Sequence, residues 1–156
     1  MSEPFPAATT ETIRTAIETE HGYLSWLGTR VETVEAGRVV LAIPYDTKLT
    51  NTTQPPTVHG GVAATLVDTA GALAQRTAFD DPEAGSMATI NLNVNYLERA
   101  DGDLIATAEV IRAGGSVGVS KMCVESPTAD GDTKTVAVAQ GSYRLFRESP
   151  QHEYGE

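Results

Sequence analysis

The sequence predicts an α+β domain made of one antiparallel sheet packed against one long helix, and three observations predict it. Gly60 to Ala78 carries apolar residues at helical spacing, most regularly from Val62 to Gln75. Four β-like segments follow, over about 87–97, 103–113, 116–126 and 134–146, separated by turn signals at Asp101-Gly102, Gly114-Gly115 and Asp130-Gly131. Two more, Arg30 to Glu35 and Arg38 to Pro44, flank a turn at Ala36-Gly37. Strands joined by short turns pair antiparallel, and the helix must bury its apolar stripe on one face of the sheet they form.

The remaining segments read in order around that frame. Residues 1–9 are rich in Pro, Ala and Thr. Thr10 to Glu20 reads as a short helix capped by its threonine, with Ile13 and Ile17 on one side. His21-Gly22 ends it, and Tyr23 to Gly28 carries apolar mass to the core. Residues 45–58 form a polar loop, because no helix or central strand tolerates Gln54-Pro55-Pro56-Thr57-Val58. The division expected is an N-terminal segment with a short helix over 1–24, the main domain over 25–147, and a polar tail over 148–156.

Composition narrows the function. The 156 residues fit one domain. The formal charge is −10, from 21 acidic against 11 basic residues, and the only lysines are Lys48, Lys121 and Lys134. That balance repels nucleic-acid phosphates and anionic lipids, which argues against both as partners. It also suits a cytoplasm rich in salt, where screening reduces self-repulsion. No apolar run is long enough to span a membrane, and Met1-Ser2-Glu3-Pro4 lacks the basic and apolar regions of a secretory signal. A cytoplasmic location is expected. One cysteine, Cys123, cannot form an internal disulfide, and His21, His59 and His152 are scattered without ligand spacing, so no metal site is expected.

The long helix contains the most informative residue. Between Gly60 and Ala74 the only charged side chain is Asp68. Val62, Leu66, Ala70 and Leu73 share one stripe, and Asp68 lies nearly opposite, beside the small residues Gly61, Ala64, Thr65 and Ala72. A solvated face normally carries several charges, whereas small residues allow another chain or a slim ligand to come close. Gly60 and Gly61 open the helix, although glycine costs about 1 kcal/mol relative to alanine within one. The N–H groups of that first turn, with the positive end of the helix dipole, suit a developing oxyanion. His59 directly precedes them and reads as a residue that fixes the entry loop.

The string His59-Gly60-Gly61-Val62-Ala63-Ala64-Thr65-Leu66-Val67-Asp68, followed by Thr89-Ile90-Asn91-Leu92-Asn93-Val94-Asn95-Tyr96-Leu97, resembles the hotdog thioesterases of the phenylacetate-pathway type. The likeness covers about residues 25–147. It implies a hotdog fold, an antiparallel sheet wrapped around the long helix, and hydrolysis of acyl-coenzyme A thioesters to free acid and coenzyme A. It implies Asp68 as general base or nucleophile, the Gly60 N–H as oxyanion donor with His59 beside it, and Thr89 as a hydroxyl supplied across a dimer interface. Gly61 falls on the substrate side of the same turn.

Members of that family also place an amide in the loop before the histidine. Direct spacing puts Thr53 there with Gln54 adjacent, and an insertion at Pro55-Pro56 would put Asn51 there instead. The later hairpin, where the family holds coenzyme A phosphates, contains Gly114-Gly115-Ser116, with Arg112 and Lys121 as the nearest cations. No cofactor is implied, since coenzyme A is part of the substrate, and a homodimer assembling to a homotetramer is. Within strand 89–97, alternation sets Ile90, Leu92, Val94 and Tyr96 on one face and Thr89 with three asparagines on the other. Two alternatives share the fold: a non-catalytic acyl-CoA binding module, and a hydratase or dehydratase in which His59 pairs with an acid.

Overall fold

The computed structural model describes residues 4–147. The polar tail over 148–156, with His152, lies outside the described residues. In chain order the elements are α1 (Ala7–Thr15), continued by one π-helical turn (Ala16–Glu20), α2 (Gly22–Trp26), β1 (Arg30–Glu35), β2 (Arg38–Ile43), a 3-10 turn (Thr47–Leu49), α3 (Gly60–Thr77), β3 (Ser86–Tyr96), β4 (Leu104–Ala113), β5 (Val117–Pro127) and β6 (Thr133–Phe146). All six strands form one antiparallel sheet in the order β1-β2-β4-β5-β6-β3. The helix α3 lies across it and touches every strand. This is the hotdog arrangement.

The helix stripe read from the sequence is the buried one: Val62, Leu66, Ala70 and Leu73 are 8%, 1%, 0% and 7% exposed. They meet Leu41, Ile43, Leu104 and Val124 from the sheet, all fully buried. Each such side chain taken from water contributes about 1.5–3 kcal/mol. Ile13 and Ile17 join the same core from the N-terminal segment.

Two local expectations are corrected. The first helix starts at Ala7, three residues before Thr10, whose hydroxyl bonds the Pro6 carbonyl from inside the helix instead of capping it. In α2 only Leu24 and Leu27 reach the core, while Tyr23 and Trp26 stay half exposed, because a single turn of helix cannot turn four apolar residues the same way.

A third difference bears on the site. In β3, Thr89 pairs with Tyr143 and Asn91 with Ser142, so Ile90 is an extra residue in the strand. This bulge switches which side chains face α3. Before it Met87 and Thr89 point to the helix side; after it Leu92 and Val94 do, and Ile90 is left 58% exposed. Simple alternation fails at that residue.

Candidate active site

Asp68 projects from the middle of α3, half-buried, on the face away from the core. Its Oδ1 accepts a hydrogen bond of 2.8 Å from the Thr89 hydroxyl of the same chain. Thr89 thus meets the Asp68 of its own chain, because the β3 bulge turns it toward its own helix, where alternation had set it on the opposite face. The backbone beneath is held by Tyr143, fully buried in β6, whose hydroxyl donates to the Asp68 carbonyl at 3.3 Å. Burial, and then the Asp68 charge, push the Tyr143 phenol well above its ordinary range, so it remains a donor. Gly71 is required here, since a side chain at 71 would run into the Tyr143 hydroxyl.

At the start of the helix, His59 is the N-cap: its Nδ1 accepts the Gly61 N–H at 2.8 Å. That bond occupies Gly61, and the neighbouring Gly60 N–H has no acceptor among the described residues. Tyr96, at the end of β3, lies against Gly60 and donates to its carbonyl at 2.7 Å. A Cβ at position 60 would stand 3.1 Å from the Tyr96 ring, so only glycine fits without displacing it. The sequence had marked Gly60 and Gly61; Tyr96 carried no such signal.

Two cavities flank this first turn. One of about 360 Å³ lies between the helix start and the sheet, with Asn51, His59, Gly60 and Tyr96 among its walls. The other, of about 390 Å³, lies outside and is walled by Tyr23, Trp26, Lys48 and Gly61. The Lys48 ammonium sits 4.7 Å from the Trp26 ring centre and donates to the Trp26 carbonyl. Tyr23 bonds the Thr65 hydroxyl at 2.9 Å, which places α2 alongside the outer face of α3.

The loop alternatives separate clearly. Asn51 faces the inner cavity with Gly60. Thr53 and Gln54 are exposed and do not, and Thr53 bonds the Pro55 carbonyl instead. The cause is a pinch: Thr50 bridges Val58 and the Asn51 N–H bonds the Thr57 carbonyl, which forces residues 52–56 to bulge outward. Arg99 clamps that bulge, donating to the Pro55 carbonyl at 2.7 Å and the Thr57 hydroxyl at 3.0 Å.

The hairpin residues Arg112, Gly115 and Ser116 share a separate depression of about 320 Å³. Gln75, fully buried, ties the hairpin to α3 by donating to the Arg112 carbonyl at 3.2 Å and to the Ser120 hydroxyl at 2.9 Å. At 1.5 Å of rise per residue, Gln75 is about 22 Å along the helix from Gly60. One chain therefore does not bring the hairpin and Gly60 together. Lys121 points elsewhere and pairs with Glu109 at 2.8 Å, a bond that holds the Glu109 carboxyl below its ordinary range. Two cations that the sequence did not single out do converge on the hairpin. Arg144 donates to the Ser116 carbonyl at 2.9 Å and Arg147 to the Gly114 carbonyl at 2.6 Å. With Arg112 they form a cluster that has no carboxylate partner among the described residues. Only the strand register brings them together, which local sequence does not reveal.

Among the described residues no helix is long and apolar enough to cross a membrane. The sequence profile of the thioesterase superfamily matches residues 56–129, which span α3 through β5. A Halobacterium salinarum protein named "Putative esterase" is 52% identical over 132 residues, covering 83% of this chain and 87% of that one. A thioesterase family protein from Silicibacter pomeroyi, of solved structure, superposes with a TM-score of 0.78 at 26% identity, covering 89% of this chain and 97% of that chain. The E. coli PaaI protein from the phenylacetic acid degradation operon superposes at 0.74 with 21% identity, covering 92% and 97%, and so speaks for the fold. The His59-Gly60-Gly61 helix start, the outward Asp68 and the sheet order thus coincide with a shared ancestry, and the chain belongs to the thioesterase superfamily.

Proposed function

We propose that the protein hydrolyses acyl-coenzyme A thioesters at a site shared by two protomers, with Asp68 as general base or nucleophile. The observation that carries this reading is the Asp68–Thr89 pair, a single carboxylate oriented by a hydroxyl on an otherwise small and uncharged helix face. In the base pathway, water adds to the thioester carbonyl carbon while Asp68 takes its proton. The tetrahedral intermediate then expels the coenzyme A thiolate, which recovers that proton. Water is the only co-reactant. The charge that develops on the carbonyl oxygen suits the Gly60 N–H, and losing one such donor raises a barrier by about 3–4 kcal/mol.

Helix geometry supports the two-chain arrangement. Asp68 lies eight residues after Gly60, about 12 Å along the axis, so one helix cannot present both groups to one carbonyl at about 3 Å each. Two helices running antiparallel across a two-fold axis bring the Asp68 of one against the Gly60 of the other. The edge strand β3, with an unpaired outer rim, and the small residues beside Asp68 suit such a homodimer, and a further pairing to a homotetramer follows the family pattern. Asn51 is the loop amide beside Gly60. Arg112, with Gly115 and Ser116 in the hairpin turn and the added Arg144 and Arg147, answers the need for cations against the coenzyme phosphates on a chain of charge −10. No cofactor takes part in this scheme.

The hydratase alternative is weakened by His59, whose Nδ1 is used as a helix cap. Release of free thiol from a panel of acyl-CoA esters, at low and high salt, tests the reading with wild type and Asp68→Asn. Turnover in the wild type and its loss in the variant are expected. Equal rates would refute it, and tight binding without turnover would favour the binding module.

A further inference from the structure

Tyr96 is the last residue of β3 and is 54% exposed, so its ring adds little to the core. It meets Gly60 instead. The hydroxyl donates to the Gly60 carbonyl at 2.7 Å, and the ring fills the space where a Cβ at position 60 would stand, 3.1 Å away. Two further bonds fix the same turn. His59 Nδ1 accepts the Gly61 N–H at 2.8 Å, and the His59 carbonyl accepts the Val62 N–H at 2.9 Å. The peptide that joins Gly60 to Gly61 is therefore held at both ends, its N–H by His59 and its carbonyl by Tyr96. The peptide before it carries the Gly60 N–H, which has no acceptor among the described residues. The angle between these two peptides is set by the backbone dihedrals of Gly60, and glycine is the residue least able to fix them by itself.

We infer that Tyr96 is a positioning residue for the hydrolysis, acting through the Gly60 N–H, and that β3 aligns both halves of the site. The inference rests on the hydrolase reading and adds to it a residue that works through another. Thr89 and Tyr96 lie seven positions apart, an odd separation that simple alternation sets on opposite faces of a strand. The extra residue at Ile90 reverses that parity, so one strand sends Thr89 to Asp68 and Tyr96 to Gly60. The bulge thus lets a single element hold the carboxylate and the oxyanion donor in fixed relation. Only the hydroxyl serves this role in full, because a phenylalanine ring would still cover Gly60 but would release its carbonyl.

The test compares wild type with Tyr96→Phe, which removes the hydroxyl and keeps the ring. The kcat and KM are measured on the acyl-CoA ester that wild type turns over fastest, and the order parameter of the Gly60 amide is measured by 15N relaxation without substrate. Thermal melting checks the fold, and an exposed side chain that keeps its ring should leave it intact. The variant is expected to lose about tenfold in kcat with KM within about twofold of wild type. Its Gly60 amide is expected to move from the rigid range of about 0.85 toward the flexible range below about 0.6. A KM that rises at constant kcat makes Tyr96 a substrate contact and overturns the inference. An unchanged kcat or an unchanged order parameter overturns it too, while leaving hydrolysis intact. Absence of wild-type turnover on every ester overturns the hydrolase reading and the catalytic part of the inference with it, while the amide measurement still decides whether Tyr96 fixes Gly60.

Discussion

The two faces of α3 divide the work of the protein. On the inner face Val62, Leu66, Ala70 and Leu73 are sealed against the sheet and serve the fold. On the outer face Gly61, Thr65, Asp68 and Ala72 remain half-buried or exposed, with Tyr23 bonded to Thr65 and Thr89 to Asp68. The first set has its partners within the chain. On the proposed mechanism the second is incomplete in one chain, because Asp68 and the Gly60 N–H lie about 12 Å apart along the helix. Substitutions on the inner face should therefore cost stability, and those on the outer face should cost rate.

The largest separation is expected at Asp68. Asp68→Asn should lower kcat by about 10²–10⁴-fold, the usual weight of a positioned acid or base, and leave the melting temperature close to that of wild type. A collapse of stability in this variant would break the division. Leu66→Ala is the converse: it should cost about 2–5 kcal/mol in urea unfolding through the cavity it leaves, with kcat per folded molecule retained. Thr89→Val keeps the shape of the side chain and removes the bond to Asp68. A loss of about tenfold in kcat is expected, in line with one hydrogen bond to a charged acceptor, with KM nearly unchanged.

Tyr143→Phe gives the smallest effect and links the two faces, since its ring is buried in the core while its hydroxyl holds the Asp68 carbonyl. A loss of about 0.5–1.5 kcal/mol is expected at neutral pH. The phenol is raised in the folded state, so its stabilisation is complete below the unfolded tyrosine value of about 10 and declines as pH rises from there toward the folded value. Unfolding free energies measured between pH 8 and 11 should show this alkaline decline in wild type and a shallower one in the variant.

Much of this was legible because it is local. The period of α3, its buried stripe, the lone Asp68 and the turns between strands are properties of neighbouring residues, and the boundaries of α3 and the six strands agree within a residue. The less legible parts depend on register or on long-range ties. One inserted residue at Ile90 redirects Thr89, and nothing in Thr89-Ile90-Asn91 marks a bulge. Asn51 is selected over Thr53 and Gln54 by a bridge between Thr50 and Val58, eight residues apart. Arg144 and Arg147 reach the Gly114–Ser116 turn only because β6 pairs with β5.

The division between chains has a direct measurement. Gly60→Pro removes the proposed oxyanion N–H at a first-turn position that accepts proline, after the extended His59, where an added Cβ meets the Tyr96 ring. Asp68→Asn and Gly60→Pro homodimers should each be inactive in thiol release. When the two are unfolded together and refolded at equal concentration, half the dimers are mixed and each holds one intact site, so activity should recover to about one quarter of wild type. If both groups acted from one chain, every site in the mixture would carry a defect, and no activity would return.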